Sequence, residues 1–348
     1  MNKLYAFEKK LKIDLSLSEN PLGCSPRASR ALQRTISSIS KYPDPRSDSL
    51  RKVLARKLKV NEKNIAFGNG SENLIDLVCR SFLKKGDEAV IPDVTFWLFE
   101  TSVELNNGSP IFAKMTKNFE IDLDKMAEKV NKKTKIIFIC NPNNPTGKLL
   151  SPKNILDFVK KVSPVIVVVD EAIIEFAGKS VAQKIKRNDN LIVLRTFSKA
   201  FGLAGLRLGV ILGPKKTIKT VEKFIQPFPI NKFAQEAVIE VIKDKSFLKK
   251  TKQFVDSQRN MLTNELRRRG FIVFDSQTNN ILVKIPTGRK EGAFFFKSLI
   301  ENNVSVAAGF SFRLDERFFR ISVRDENTNR KFIKAVDKIL AGEIGRMV

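Results

Sequence analysis

The chain has 348 residues, of which 42% are hydrophobic and 29% charged, so it is long enough to bury one large α/β domain and a smaller one. Lysine and arginine (63) outnumber aspartate and glutamate (37), which gives a net charge of +26, and histidine is absent, so acid–base catalysis would need another side chain. Three widely spaced cysteines exclude a zinc cluster or a disulfide framework and are typical of a reducing cytoplasm.

Neither a targeting segment nor a membrane span is expected. Residues 1–10 lack the apolar core of a signal peptide, and no apolar run approaches the ~20 residues that cross a bilayer. The positive charge suggests a nucleic-acid partner, but the basic residues are spread along predicted helices, and no helix-turn-helix, zinc finger or aromatic-rich binding strand is visible. We therefore expect no dedicated nucleic-acid binding, and a lysine-rich surface that steers anionic ligands.

The first predicted strands belong to an alternating pattern of strands and helices, which favours a mainly parallel sheet. Strands are predicted at 65–67 and 88–91, and between them a glycine turn at 68–71 leads into apolar positions at helical spacing over 74–82. The order of strand, glycine turn and helix N-terminus offers free backbone N–H groups to a phosphate. An ordinary turn without a ligand is the alternative.

Polar residues follow the next two predicted strands. The apolar run 136–140 leads into a proline-stiffened turn that contains Asn144, and five β-branched residues at 165–169 lead directly to Asp170. Such a β-branched run fits a parallel strand covered on both faces. Because open α/β sheets bind ligands at the carboxyl ends of their strands, we expect both side chains at a ligand site, with a strand-end cap as the alternative for Asp170.

Lys199 lies in the segment that narrows the function most. It follows the apolar run 191–194, stands directly after Ser198 and precedes Arg207 by eight positions. A lysine that bonds covalently to a carbonyl cofactor needs a fixed, partly desolvated position, and a cofactor phosphate needs hydroxyl and guanidinium groups. A carboxylate such as Asp170 could hold the protonated ring nitrogen of a pyridine cofactor. A solvated surface lysine is the alternative.

The pattern changes towards the C-terminus. A strand at 208–212 is followed by a long amphipathic helix from about residue 247, which stops at Gly270. Beyond it, shorter strands and helices are predicted, with strands at 271–274, 280–285, 304–306 and 320–323 and a final helix around 332–340. This change of pattern marks a second, smaller domain.

Seven stretches, in this order, resemble one family. They are Ser18-Glu-Asn-Pro-Leu-Gly23, Tyr42-Pro-Asp-Pro45, Gly68-Asn-Gly-Ser71, Asn141-Pro-Asn-Asn-Pro-Thr-Gly147, Asp170-Glu-Ala172, the Lys199 segment and Phe319-Arg-Ile-Ser-Val323. The chain resembles the fold-type I pyridoxal phosphate-dependent enzymes of the class I/II aminotransferase group, above all the histidinol-phosphate aminotransferase branch, with threonine-phosphate decarboxylase as a near relative. The resemblance implies an α/β fold in which a large cofactor-binding domain with a mainly parallel sheet spans 30–244, and a small α/β domain combines 1–29 with 245–348.

The resemblance also implies roles for individual residues. Lys199 would carry pyridoxal 5'-phosphate and move protons, Asp170 would pair with the pyridine nitrogen, and Arg320, with Arg313 and Arg324 as alternatives, would bind the substrate carboxylate. Asn20 is a second predicted substrate-binding residue. The other predicted cofactor-binding residues are Asn144, Phe96, Gly70, Ser71, Glu72, Thr196, Ser198, Arg207 and, reaching across a homodimer interface, Tyr42. A core position is the alternative for Phe96, and no metal is expected.

Two departures from the family pattern concern the cofactor and the substrate. Ile173 stands where the family usually has a tyrosine, or in some members a phenylalanine, so the tyrosine's hydrogen bond to the cofactor ring oxygen is missing. The segment Val304-Ser-Val-Ala-Ala-Gly309 lacks the arginine with which the histidinol-phosphate branch helps to hold a phosphate. The predicted function is transfer of an amino group between an amino acid or a histidinol phosphate-like amino phosphate and a 2-oxo acid such as 2-oxoglutarate. Decarboxylation of an amino-acid phosphate and a non-catalytic binding role are the alternatives.

Overall fold

The computed structural model describes residues 11–286 and 288–344. The expected lack of a signal peptide concerns residues 1–10 and lies outside this described part of the chain. Within the described ranges, no helix combines the length and the apolar character that a membrane crossing requires.

The described residues form thirteen strands and twelve α-helices. The strands are β1 (Ile13–Asp14), β2 (Ile65–Gly68), β3 (Glu88–Pro92), β4 (Ser109–Ala113), β5 (Thr134–Cys140), β6 (Ile166–Asp170), β7 (Leu191–Thr196), β8 (Gly209–Leu212), β9 (Ile272–Val273), β10 (Asn280–Lys284), β11 (Val304–Ser305), β12 (Ala307–Ala308) and β13 (Phe318–Ser322). The helices are α1 (Pro26–Thr35), α2 (Asp48–Leu58), α3 (Gly70–Phe82), α4 (Leu98–Leu105), α5 (Leu123–Glu128), α6 (Pro152–Lys161), α7 (Ile174–Ala177), α8 (Lys215–Glu222), α9 (Lys232–Val241), α10 (Lys245–Arg268), α11 (Arg289–Glu301) and α12 (Glu326–Ile344). Short 3-10 turns include Ala204–Leu206 and Gly309–Phe312.

A seven-stranded sheet in the order β2-β8-β7-β6-β5-β3-β4 forms the centre of the fold. Strand β8 runs antiparallel to both of its neighbours, and the other pairs are parallel, which confirms the predicted mainly parallel sheet. The register pairs Asp170 with Cys140 on one side and with Leu194 on the other. The carboxyl ends of β5, β6 and β7 are therefore level, and the segments that contain Asn144, Asp170 and Lys199 leave the sheet at one edge.

Local sequence explains most of these elements. The buried apolar residues of β6 are three consecutive valines. Helix α6 begins with Pro152 after Ser151, whose hydroxyl accepts a hydrogen bond from Asn154 N. Strand β4 was not predicted. It lies at the edge of the sheet, is only partly buried and contains Pro110, so neither β-branched enrichment nor clean alternation identifies it.

A second, smaller group of strands lies towards the C-terminus. Strands β12-β13-β10-β9 form an antiparallel sheet, and β1 pairs in parallel with β11. Their apolar side chains form a core separate from the two that cover the faces of the large sheet. We propose the division into 30–244 and 1–29 with 245–348 on this basis, since α10 begins at Lys245; the boundary at residue 29 falls inside α1, which packs against α9.

Candidate active site

A cavity of about 410 Å³ lies at the carboxyl edge of the large sheet, between it and the smaller sheet. Nine of the predicted site residues line it, namely Ser71, Glu72, Phe96, Asn144, Asp170, Ser198, Lys199, Arg207 and Arg320. Its other walls are formed by Ser16, Leu17, Ser18, Glu19, Trp97, Cys140, Ala172, Ile173, Ala204, Asn280, Ala307, Ser311 and Phe312. We call this space the active-site cavity.

Lys199 enters the active-site cavity from the loop that follows β7. The loop is held by hydrogen bonds from Leu203 N to the carbonyl of Phe197, 3.1 Å, and from Gly202 N to the carbonyl of Lys199, 3.0 Å. Burial, together with the smaller effect of the positive charge of Arg320, lowers the pKa of the Lys199 amine to about 8. A larger share of the amine is therefore neutral near pH 7 than for a lysine in water.

Asp170 ends β6 and is 2% exposed. Burial raises the pKa of its carboxyl to about 7; the backbone hydrogen bond from Ala172 opposes this rise, and the adjacent Glu171 adds to it. The Ala172 N–H lies 3.0 Å from Asp170 Oδ1, so Asp170 also makes the contact expected of a strand-end cap. A cationic partner beside Asp170 would lower the pKa of this carboxyl again and favour its ionised form.

Arg207 lies at the N-terminus of α3 next to Gly70. A Cβ added to Gly70, whose φ is +81°, would lie 2.4 Å from Arg207 Nη2, so this guanidinium needs a glycine beside it. Arg207 Nη2 donates to Glu72 Oε2 over 2.6 Å, which shows that an oxyanion is accepted at this place. Asn69 does not cap the helix with its side chain, which leaves the first N–H groups of α3 available.

Two hydroxyl groups lie behind this helix start. Thr196 Oγ1 and Ser198 Oγ are 2.9 Å apart, and Ser198 N donates to Thr196 Oγ1 over 3.2 Å. Thr196 does not reach the cavity wall itself, whereas Ser198 does. Serine hydroxyls, a guanidinium and a helix N-terminus fit a phosphate, the buried carboxylate fits a pyridinium, and the lysine fits a carbonyl; the donor set therefore suits pyridoxal 5'-phosphate.

Arg320 joins the two sheets at the cavity. It is 6% exposed, donates from Nη1 to Asn144 Oδ1 over 2.9 Å and from Nη2 to the carbonyl of Ser16, and lies 5.6 Å from the ring of Phe312. The two alternatives lie outside the cavity wall: Arg324 pairs with Glu19 over 2.6 Å and Arg313 with Glu100 over 3.1 Å. Among the three arginines, the geometry favours Arg320 as a ligand of the substrate.

Besides Gly70 and Thr196, two further predicted residues lie apart from the cavity wall. Tyr42 is 83% exposed and stacks on Phe228, with ring centres 4.8 Å apart. Asn20 uses its amide within the protein, because Nδ2 donates to the carbonyl of Ala200 over 2.8 Å and Oδ1 accepts from Leu22 N over 2.9 Å. Asn20 thus ties the N-terminal segment to the loop next to Lys199.

Sequence reasoning did not identify several wall residues. Trp97 stands next to Phe96, and its status as the single tryptophan of the chain was the one available signal. Phe312 is one of 27 phenylalanines and lies in a 3-10 turn, and Ser16 and Leu17 arrive from the far N-terminal side. No local sequence pattern identifies Ser16, Leu17 and Phe312 as residues of a cavity wall.

A second cavity, of about 1460 Å³, lies between α2 and α8, and we call it the basic groove. Its charged wall residues are Arg46, Arg51, Lys52, Arg56, Lys59, Lys63, Lys186, Lys215 and Lys219, with Asp48, Glu62 and Glu222 as the acidic members. Basic residues that the sequence spreads along several elements come together here, because the 3-10 turn Glu62–Asn64 contacts both α2 and α8. None of the predicted cofactor or substrate residues lines the basic groove, and no described cluster of histidine, cysteine or acidic residues could hold a metal.

The large sheet with a lysine and a carboxylate at one edge defines an α/β enzyme that uses a phosphorylated carbonyl cofactor. The family model of aminotransferase class I and II matches residues 10–336, so the chain belongs to this family. It is a fold-type I, pyridoxal phosphate-dependent aminotransferase, as the sequence predicted.

The comparisons also bear out the predicted branch. The histidinol-phosphate aminotransferase of Pelagibacter ubique is 32% identical over 335 residues, 94% of this chain and 92% of the relative. Histidinol-phosphate aminotransferase 2 of Hydrogenovibrio crunogenus is 37% identical over 333 residues, 94% of this chain and 88% of the relative. Among solved structures, the histidinol-phosphate aminotransferase of Clostridium acetobutylicum is 27% identical with a TM-score of 0.86, over 94% of this chain and 98% of that one. The L-threonine-O-3-phosphate decarboxylase of Porphyromonas gingivalis is 25% identical with a TM-score of 0.82, over 94% of this chain and 99% of that one.

Proposed function

We propose that this aminotransferase takes the amino group from a donor with one anionic end and gives it to a 2-oxo acid such as 2-oxoglutarate. Arg320 is the observation that carries the proposal. Of the three cations on the described cavity wall, Lys199 is the reactive amine and Arg207 lies at the phosphate-binding helix start, which leaves Arg320 for the substrate. A guanidinium forms a two-bond fork with a carboxylate or a phosphate, so an α-amino acid and histidinol phosphate, the substrate in the relatives' names, both suit it.

The chain's own residues would have the following roles in this reaction. Pyridoxal 5'-phosphate supplies the electron sink for the carbanion at the substrate Cα. Lys199, with a pKa of about 8, would take the proton from Cα and return it to the product side, and about one amine in ten is neutral at pH 7. Asp170 would hold the proton on the pyridine nitrogen, and Ser71, Ser198 and Arg207 would hold the phosphate. Donor and acceptor would use Arg320 in turn, which implies ping-pong kinetics.

Half-reactions test this function directly. The cofactor-loaded protein is mixed with histidinol phosphate, L-glutamate or O-phospho-L-threonine, and the cofactor absorbance and released CO₂ are recorded. We expect an absorbance change without CO₂ for at least one donor, reversed by 2-oxoglutarate. Stoichiometric CO₂ from phosphothreonine, without any amino transfer, would overturn the proposal in favour of the decarboxylase alternative.

A matched pair of variants tests the role of Arg320. In Arg320→Lys the two-bond fork is lost, so KM for donor and acceptor should both rise by about tenfold or more. Arg317→Lys changes an arginine three positions earlier that pairs with Asp315, and should leave both KM values unchanged. Equal effects of the two variants would refute the assignment of Arg320.

We propose further that the enzyme is a homodimer with shared active sites. Five apolar side chains are exposed around Tyr42 and in the segment that it contacts: Ile36 (60%), Ile39 (72%), Tyr42 (83%), Phe224 (39%) and Phe228 (41%). So many large apolar side chains in water are typical of a subunit interface, and a second copy would cover them while its Tyr42 reaches the phosphate.

Subunit mixing tests the shared site. A Tyr42→Phe subunit keeps Lys199, and a Lys199→Ala subunit keeps Tyr42. If Tyr42 serves the neighbouring subunit, each mixed dimer has one intact site, and cofactor retention should recover in the mixture. If Tyr42 serves its own subunit, no site is restored. An active monomer in sedimentation would contradict the dimer altogether.

A cytoplasmic location completes the proposal. All three cysteines are free; Cys79 and Cys140 are buried, and burial raises the pKa of both thiols. Buried, protonated thiols suit a reducing compartment. Fractionation of the native host with antibodies against the chain would test this location, and recovery with a membrane or secreted fraction would contradict it.

A further inference from the structure

Three charged side chains are packed behind the active-site cavity and line no part of it. Arg195 Nη1 lies 3.3 Å from Glu171 Oε2, and Arg195 Nη2 pairs with Glu175 Oε1. Their side chains are 0% (Glu171), 7% (Glu175) and 14% (Arg195) exposed. We call this group the buried triad.

Each member of the buried triad stands next to an element of the site. Glu171 follows Asp170 directly, and its N–H donates to the carbonyl of Leu194 over 2.9 Å. Arg195 belongs to β7, four residues before Lys199, and Glu175 belongs to α7, two residues after the wall residue Ile173. The triad therefore connects the end of β6, the end of β7 and α7 behind the cavity.

Further hydrogen bonds hold the triad in one geometry. Ser180 Oγ donates to Glu171 Oε2 over 2.5 Å, Val181 N donates to Glu171 Oε1 over 2.8 Å, and Arg195 Nη1 lies 3.1 Å from Ser180 Oγ. Both carboxylates thus meet a single planar guanidinium, whose fork restricts distance and orientation together. A hydrophobic contact of the same size would restrict the distance by packing but not the orientation in this way.

Stability alone does not account for this arrangement. Burial raises the pKa of Glu171, which shows that the charged form is disfavoured by desolvation even with Arg195 beside it. Buried ion pairs and triads can often be replaced by packed apolar side chains without loss of stability, whereas removal of one member leaves an uncompensated buried charge. The directional restraint is what an apolar replacement cannot supply.

We propose that Glu171, Arg195 and Glu175 form a positioning triad that holds Asp170, the Lys199 loop and Ile173 in the geometry that binds the cofactor. The inference rests on the proposed roles of Asp170 and Lys199. It assigns a role to the glutamate of the Asp170-Glu-Ala172 stretch and to the arginine that opens the Lys199 segment, neither of which contacts cofactor or substrate in the proposed function.

Two variants separate positioning from stability. Arg195→Met leaves two buried carboxylates without a cationic partner, so both the unfolding midpoint and the affinity for pyridoxal 5'-phosphate should fall. The triple variant Glu171→Met, Arg195→Met, Glu175→Leu removes all three charges, so the midpoint should recover while the cofactor Kd stays at least about tenfold weaker. Quenching of the single tryptophan, Trp97 in the cavity wall, reports binding without any turnover. Recovery of both properties in the triple variant would overturn the proposal.

Conservative changes keep the test decisive if those variants do not fold. Glu175→Gln and Arg195→Lys preserve size and most of the hydrogen bonding, and both should weaken cofactor binding and lower kcat more than they raise KM. A cofactor Kd equal to that of the unchanged protein in both variants would also overturn the proposal.

The matched control is Arg269→Met. Arg269 is 19% exposed and bridges Glu265, 2.7 Å away, and Asp337, 2.6 Å away, on the outside of the smaller domain. This change should lower the unfolding midpoint without changing the cofactor Kd. Because Kd is read without substrate, a failure of amino transfer in the unchanged protein would refute the proposed function and leave the test of the triad intact.

Discussion

The active-site cavity and the basic groove differ in the number of their charged side chains and in how far these are removed from water. The groove is larger, about 1460 Å³ against about 410 Å³, and collects nine basic side chains against three acidic ones. Among the described residues, the cavity wall has three cations and three carboxylates. Burial lowers the pKa of Lys199 to about 8 and raises the pKa of Asp170 to about 7, so that the two values approach each other.

This difference shows that the chemistry of a site depends more on how closely its charged groups approach one another, and on how far they are removed from water, than on how many charges it contains. Exposed cations are screened by salt within about 8–10 Å and interact weakly with any one ligand. Opposite charges that share a buried wall act through a low dielectric, and each changes the proton affinity of the other. Four predictions test whether this contrast holds.

The largest effect is expected at Lys199. Lys199→Ala removes both the amine that bonds to the cofactor and the group that moves the proton, so kcat should fall by at least about 10⁴-fold. Borohydride reduction of the unchanged enzyme, followed by peptide mapping, should find the cofactor on Lys199. A label on another lysine, in the basic groove or elsewhere, would contradict the assignment of Lys199 and with it the contrast between the two regions.

The second effect concerns Asp170 in the cofactor-free protein. Its pKa is about 7 in the folded chain and 3.8 in the reference state. At a pH between these two values, the carboxyl is therefore protonated in the folded chain and ionised in the unfolded chain. Stability contributed by this group therefore falls as pH rises from about 4 to 7, by on the order of 4 kcal/mol in full. Asp170→Asn should be more stable than the unchanged protein at pH 8 and nearly equal to it at pH 4 in chemical unfolding. The exposed Asp157→Asn serves as control, and a pH-independent difference for Asp170→Asn would contradict the burial argument.

A smaller effect is expected at Ile173, which is 5% exposed and lines the cavity. A tyrosine there would donate a hydrogen bond to the cofactor's ring oxygen and favour its deprotonated state. Ile173→Tyr should lower the pKa of the bound cofactor's absorbance change by ~1 unit, since a hydrogen bond to a charged group is worth about 1.5–3 kcal/mol at most. Ile173→Phe adds the ring without the hydroxyl and should not shift it. If the two variants titrate alike, residue 173 does not face the ring oxygen.

The smallest effect is expected in the basic groove. Changing Lys59, Lys63 and Lys215 together to glutamine should leave kcat/KM within about twofold at 0.15 M salt, because screening separates the groove from the cavity. At low salt the same variant should bind anionic substrates more slowly if the groove charge steers them. A tenfold loss of kcat/KM at 0.15 M salt would show that the groove takes part in catalysis and would contradict the contrast between the two regions.

Strands and helix starts could be predicted from the sequence because their signals are local. The β-branched run before Asp170 and the glycine turn before α3 each depend on a few neighbouring residues, and the structure contains both elements. Strand β4 was missed because an edge strand with a proline and half-exposed side chains carries no such signal. The roles of individual site residues remain proposals for the experiments above.

The sequence by itself determined that Asn144, Asp170 and Lys199 each follow a strand, because strand signals are local, and the alternation of strands with helices indicated that the sheet is mainly parallel. Only the tertiary structure decided which side chains meet: Arg320 reaches Asn144 across 176 positions, and Phe312 and Ser16 close the same cavity. It also decided the pKa values of Asp170 and Lys199, the buried triad and the basic groove. The physical reason is that desolvation and Coulomb energy depend on distances in space, and the fold sets those distances between residues that are remote along the chain.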